Sequence, residues 1–419
     1  MISKNSAWSI AGSAVPAAIA LLAIPTLFYA LGSQLFSICS LLISLAIFFF
    51  VYDFGIARSI TYFIAKSDLD SDHVNAAFGQ GALWACFFSC IAAFLVFWTA
   101  PWFVTHWLTI DLVLHEPIVK SFRIAAYGIP ASVICHVFRG ILEGHSNFKA
   151  ANLGKMVSGA SIFLAPLIMV KLNISQIQDL SLAITCTRYA SLGLYIFLVW
   201  DKVDFKKASI RIQTHESLIR YTAWAAISGL ISTLFIYGDR FFVAGYVEAE
   251  TLAIYIGSQD ILIRYLLIPW SMATVLLPVF AAGKLAKNEE SKFYFAHQKK
   301  ILWLSIIFVG LVLAGIVLID WLALIHLNQQ AKLIISLQAI GVFFAALSQM
   351  PLILLLAKGK PRLLTYIYAF EFLIYLMIAP MILSFANGTG AGMLWAGRLI
   401  LEYCLLSYAM NKNKESISV

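Results

Sequence analysis

Runs of about twenty apolar residues recur along this 419-residue chain, with little polar sequence between them. Twenty residues of α-helix cover roughly 30 Å, the thickness of a bilayer's hydrocarbon core. The pattern predicts twelve helical spans, at 8–31, 35–54, 76–98, 122–142, 152–170, 180–199, 221–243, 254–281, 301–319, 333–357, 364–384 and 389–410. Short alternating segments of the kind that build a transmembrane β-barrel do not stand out, so helices are predicted throughout. The first span is too long for a signal-peptide core, carries only Lys4 ahead of it and shows no small-residue cleavage site, so it is expected to be a retained helix. Short connections predict one polytopic bundle rather than a string of soluble domains.

Composition strengthens this picture. Hydrophobic residues make up 61% of the chain and charged residues 12%, about half the usual share of a soluble domain. The net charge of +8 reports topology rather than a polyanionic partner such as nucleic acid. With the N-terminus placed in the cytoplasm, 21 Lys and Arg fall on the cytoplasmic side, from Lys4 and Arg58 to Lys412 and Lys414, against five on the far side (Lys120, Arg123, Lys171, Arg240 and Lys332). That asymmetry obeys the positive-inside rule, and an even number of spans puts both termini in the cytoplasm. The six cysteines all lie in apolar spans. Cys86 and Cys90 sit one turn apart without a His or carboxylate near them, so apolar filling is expected rather than a metal or a disulfide.

The longest polar cytoplasmic connection, DKVDFKKASIRIQTHESLIR at 201–220, divides six spans from six. Its mixture of basic and apolar residues suits an interfacial segment on anionic headgroups, or a plain solvated linker. The chain is therefore expected to fold as an all-α membrane protein with two six-helix lobes, 1–200 and 221–419, related by an axis along the membrane normal. Prolines inside spans (Pro16, Pro25, Pro269, Pro278 and Pro380) predict kinks that neighbouring helices tolerate.

Charges inside the spans carry the candidate chemistry. A charged side chain at the bilayer centre costs roughly 2.5–3.5 kcal/mol on the insertion scale, so it persists where it faces protein-lined space and finds a partner. Positions three, four and seven apart share a helical face. In the sixth span, Ser181, Thr185, Arg188 and Tyr195 form one stripe, and Arg188 has no acid on its own helix. It calls for an anionic substrate or for an ion pair across the bundle, with Glu371 one candidate. The eighth span carries Gly257, Asp260, Arg264 and Ser271 on a stripe, and the twelfth carries Arg398 and Glu402; both spans offer a pair four residues apart. In the eleventh, Tyr368, Glu371 and Tyr375 share a face, and Glu371 is a lone carboxylate suited to carrying a proton or ligating an ion.

Other charges sit near span ends. Ser132, His136, Arg139 and Glu143 line one face of the fourth span, with Arg139 and Glu143 spaced to pair and His136 able to titrate near neutrality. Asp53 with Arg58, and Asp239 with Arg240, are candidate gating or bracing pairs at the membrane boundary. Removing the two intrahelical pairs leaves Arg188 and Glu371 as the least compensated interior groups. No P-loop, H-E-x-x-H, paired CxxC or G-x-S-x-G turn occurs, so no cofactor, metal or catalytic constellation is expected. Any driving force comes from an ion gradient, the membrane potential or the substrate's own gradient.

Several motifs together carry a family resemblance. Asn5-x-x-Trp8-x-x-x-Gly12, the run from Pro25 to Leu31-Gly32 with Phe36, and Asp53-Phe54-Gly55-x-x-Arg58 resemble the opening of Wzx-type flippases. Arg139-Gly140-x-x-Glu143-Gly144 with Phe148 and Asn152, and Asp239-Arg240 with Tyr255, resemble later parts of the same family. That family lies in the multidrug/oligosaccharidyl-lipid/polysaccharide exporter superfamily. The resemblance implies a MATE-like architecture, with two six-helix lobes around a central cavity working by alternating access. It implies a substrate of undecaprenyl-pyrophosphate-linked oligosaccharide (O-antigen or surface polysaccharide repeat units) flipped from the cytoplasmic to the periplasmic leaflet of a bacterial inner membrane. Arg188 and Arg264 then become candidate cavity cations, alongside Asp260, Glu371, Arg398 and Tyr368. H+ or Na+ are candidate coupling ions, and polysaccharide polymerase and chain-length proteins are candidate partners. Two rivals stay open: a cation-coupled drug antiporter of the same fold, and a membrane-embedded glycan polymerase or ligase. The first would show a more acidic cavity, and the second a sizeable catalytic loop on the far side, where Thr99 to Ser121 is aromatic and nearly neutral.

Overall fold

The computed structural model describes residues 2–51, 56–57, 60–61, 64, 71–204, 227, 230–231, 233–281, 287–321, 327–358 and 360–415. Asp53, Arg58 and most of the 201–220 connection lie outside the described residues. The described residues are helical, with no strand among them. The helices are α1 (Ile2–Val51), α2 (Ser71–Trp102), α3 (His115–Gly144), α4 (Phe148–Lys171), α5 (Ile177–Val199), α6 (Asp239–Val243), α7 (Ala249–Leu262), α8 (Leu267–Ala281), α9 (Lys287–Trp321), α10 (Gln329–Ala357) and α11 (Pro361–Glu415).

Nine stretches among the described residues are long and apolar enough to cross a bilayer. The first, Ala11–Phe49, and the last, Arg362–Lys412, run to 39 and 51 residues, too long for one crossing. Each contains a break. In α1 it falls at Gly32, whose φ of 70° and ψ of 170° suit a residue without a Cβ, and in α11 it falls at Asn387 (φ 46°, ψ −130°). These breaks coincide with the short turns expected between the first and second spans and between the eleventh and twelfth. The protein is a multi-pass membrane protein.

The eighth expected span is not one continuous α-helix. A 3₁₀ turn, Ile263–Leu266, separates α7 from α8. Pro269 has no N–H to return to the Tyr265 carbonyl, and its ring crowds that carbonyl, so the chain tightens there. The seventh span, expected at 221–243, ends in a π-helical turn, Leu234–Gly238, that runs into α6.

The chain forms two compact units, Met1–Gly245 and Tyr246–Val419. In the first, α1 packs mainly on α4, while α3 packs on both α2 and α5. Its core includes Phe49, Ile129, Val133, Val137, Phe138 and Ile141. The approach of α3 to the segment after α1 is close enough to need a glycine: a Cβ on Gly140 would lie 2.7 Å from the Ala57 carbonyl oxygen. Between α2 and α3, the Trp107 indole donates to the Phe241 carbonyl at 2.8 Å, and Phe103 and Phe122 approach Phe241. This aromatic connection therefore packs on α6.

In the second unit α10 is central, packing against α7, α8, α9 and α11. Two-thirds of its most apolar window is buried (67%), against 11% for α9. Trp303, Ile307, Leu311 and Val317 are exposed on α9.

Candidate functional site

The polar stripe of α5 faces α3 inside the first unit. Ser181 donates to the Ser121 carbonyl at 2.6 Å and Thr185 to the Ile124 carbonyl at 3.2 Å, so the first part of the stripe is bonded to α3. Arg188 continues it and is 3% exposed. Its Nη2 donates to the Ser158 carbonyl at 2.8 Å, to Ser161 Oγ at 2.7 Å and to Thr187 Oγ1 at 3.0 Å. All three acceptors are neutral. Among the described residues no carboxylate pairs with this guanidinium, and its Nε meets no acceptor.

Two small cavities flank Arg188. One, about 10 Å³, is lined by Ser132, Cys135, His136, Arg139, Ser158, Ser191 and Tyr195 together with Arg188. The other, about 20 Å³, lies against Leu45, Ala46, Phe49, Gly128, Ile129 and Thr185. Each has room for about one water molecule. Arg139 lines the first cavity while pairing with Glu143 at 3.6 Å, one turn along α3, as its spacing predicts. His136 shares an Nε2 hydrogen bond at 3.1 Å with the Phe49 carbonyl on α1.

The second unit gathers a different set. Arg398 pairs with Glu402 at 3.8 Å, one turn apart on α11, and both are mostly buried. Glu371 and Tyr368, on the earlier limb of the same helix, lie within electrostatic reach of that pair. Glu371 is 1% exposed, and both of its carboxylate oxygens are buried without a hydrogen-bond partner among the described residues. Asp260 is buried on α7, and Arg264 lies on the 3₁₀ turn that directly follows it.

Asp239 and Arg240 are both buried at the start of α6. Arg240 is fully buried, donates from Nη1 to Ser44 Oγ at 2.8 Å and lies 5.3 Å from the Tyr237 ring centroid. Its guanidinium thereby reaches Ser44 on α1. Ser44, Ser158 and Ser161 are the partners that the sequence reading did not single out. A hydroxyl stripe on α4 at Ser158 and Ser161, three residues apart, was the available signal. Gln338 on α10 was also missed; it is buried and bonds both to the Tyr255 carbonyl (2.9 Å) and to Ser258 Oγ (2.6 Å). Among the described residues no group of three or more His, Cys, Asp or Glu could hold a metal.

Residues 2–284, two-thirds of the chain, match the family described as polysaccharide biosynthesis protein. The chain belongs to that family. The resemblance to Wzx-type flippases seen in the N-terminal motifs agrees with it. A curated relative from Shigella flexneri, described as "Putative O-antigen transporter", is 26% identical over 416 residues, covering 97% of both chains. Among solved structures, the lipid II flippase MurJ in an inward closed conformation aligns with a TM-score of 0.74 at 12% identity, over 96% of this chain and 87% of that one. A multidrug MATE transporter in an inward-facing conformation aligns at 0.65, again at 12% identity, over 99% and 94% of the two chains. At such identities the structural likeness establishes the fold: this family member has a MATE-like fold.

Proposed function

We propose that this protein flips a lipid-linked oligosaccharide, carried on undecaprenyl pyrophosphate, from the cytoplasmic to the periplasmic leaflet of a bacterial inner membrane. The observation that carries the reading is Arg188, a buried guanidinium in a multi-pass protein whose described partners are neutral oxygens. Such a cation suits a passage for a pyrophosphate. Family membership and the name given to the Shigella flexneri relative support the same substrate class. The water-sized cavities beside Arg188 cannot admit a pyrophosphate, so the reading requires the stripe of α5 to part from α3 and α4 during the cycle.

In this reading the lobes are 1–200 and 221–419, joined by a basic cytoplasmic linker, with both termini in the cytoplasm. Arg188 and Arg264 serve the anionic headgroup, while Asp260, Glu371, Arg398 and Tyr368 line polar surface in the second lobe. Asp53 with Arg58, Arg139 with Glu143, and Asp239 with Arg240 hold or release helix ends as the lobes alternate. Glu371 carries H+ or Na+ for coupling. Polysaccharide polymerase and chain-length proteins receive the product. Deleting the gene is expected to trap undecaprenyl-linked repeat units on the cytoplasmic leaflet, and normal translocation in the deletion strain would sink the assignment. Glu371→Gln fixes one protonation state, so transport by that variant in proteoliposomes is expected to lose its dependence on pH. An unchanged pH profile would remove Glu371 from coupling.

A further inference from the structure

We propose that the two cavities at Arg188 form a binding site for one small monovalent anion, chloride under cellular conditions, held inside the first unit as counter-charge to the guanidinium. This goes beyond the transport reading and does not rest on it.

The argument begins with charge. A guanidinium taken out of water without a compensating anion costs several kcal/mol on the order-of-magnitude scale for buried ions. Here the described compensation is three neutral acceptors, all on Nη2. Among the described residues the Nε–H is buried without an acceptor, and the Ser158 hydroxyl, which is 2% exposed and lines the same cavity, is buried without a hydrogen-bond partner. Two polar groups thus stand unanswered around one small space, and buried polar groups are ordinarily satisfied.

The lining selects the sign of the occupant. Among the described residues neither cavity is lined by an Asp or a Glu, and the smaller is lined by two arginines. Other charges acting on this region are Glu143, which is paired with Arg139, and Lys155, whose Nζ donates to Ser13 Oγ at 2.9 Å. Among the described residues the local balance is cationic. His136 adds no negative charge in either protonation state. The lining also selects size: a space for about one water takes a halide, which is only slightly larger, after a small rotation of the Ser158 hydroxyl. It excludes sulfate, phosphate and carboxylates. A water can satisfy the two donors but leaves the charge in place, so the halide is favoured by the net cationic lining.

Equilibrium binding of radiolabelled chloride to the full-length protein in nanodiscs tests the proposal. The wild type is expected to bind one equivalent saturably, displaced by bromide and not by sulfate. Ser158→Ala is expected to weaken binding about tenfold, the scale of one hydrogen bond to a charged group. Arg188→Gln is expected to abolish it. Absence of saturable binding, retention of full affinity in Ser158→Ala, or equal displacement by sulfate would each overturn the site. Should Arg188→Gln fail to fold, bromide-soaked crystals of the wild type decide: an anomalous peak within hydrogen-bond reach of Arg188 Nε supports the site, and a peak elsewhere or none overturns it.

Discussion

Arg188 in the first unit and Arg398 in the second are both buried arginines on helices of one membrane protein, yet their surroundings are opposite in kind. Arg188 meets a serine carbonyl and two hydroxyls and has no carboxylate partner among the described residues. Arg398 pairs with Glu402 and sits beside a second carboxylate, Glu371, so among the described residues that cluster holds two acids and one base. The difference teaches where each charge is vulnerable. Removing a cation whose partners are neutral leaves neutral groups behind, whereas removing a cation from between carboxylates leaves buried negative charge. The first change is tolerable to the fold and the second is not.

Mutations can break this contrast. The largest expected effect is that of Arg398→Met, which leaves Glu402 and Glu371 without that cation and should cost about 3–5 kcal/mol of stability. Thermal unfolding in detergent would measure it, and adding Glu402→Gln should restore more than half of the loss. A double mutant no more stable than Arg398→Met would show that the pair does not act as a unit. Next comes packing. Gly154→Ala places a Cβ 2.5 Å from the buried Tyr195 ring, at an expected cost of about 1–3 kcal/mol. Gly193, on the same α5 as Arg188 but with nothing within 4 Å of a built Cβ, should instead gain up to about 1 kcal/mol when replaced by Ala. Equal effects at the two glycines would mean that α5 does not present one packed and one open face.

The smallest expected change in stability is at Arg188→Met, within about 1 kcal/mol of wild type, because an apolar chain of similar length replaces a costly buried charge. Export, followed through lipid-linked repeat units, should nevertheless be lost. A variant that exports normally would take Arg188 out of the passage. One that unfolds would show that its bonds to Ser158 and Ser161 brace α4 against α5.

Much of this architecture was legible in the pattern of residues. The breaks at Gly32 and Asn387 fall between the expected span pairs, and the i,i+4 spacing of Arg139–Glu143 and Arg398–Glu402 became observed ion pairs. The stripe of Ser181, Thr185 and Arg188 also reads directly from helical periodicity. What that stripe faces did not. Periodicity says which residues lie together on α5, but the presence of α3 and of Ser158 and Ser161 on α4 against them depends on packing between segments distant in sequence. Arg240 makes the same point: its spacing marks a helix end, while its burial and its bond to Ser44, 196 residues earlier, depend on packing between segments distant in sequence.

The sequence by itself determined that this chain spans a membrane many times as helices, since backbone groups in lipid must be bonded within each segment. It also determined which interior positions carry charge, and family membership follows from it alone. Tertiary structure decided how those charges are answered. It surrounded Arg188 with neutral oxygens and water-sized space, set Glu371 beside the Arg398–Glu402 pair, and buried Arg240 completely. The physical reason is range. Hydrophobic length and helical period act over a few residues, whereas the free energy of a buried charge depends on every dipole and charge that folding brings within a few ångströms of it.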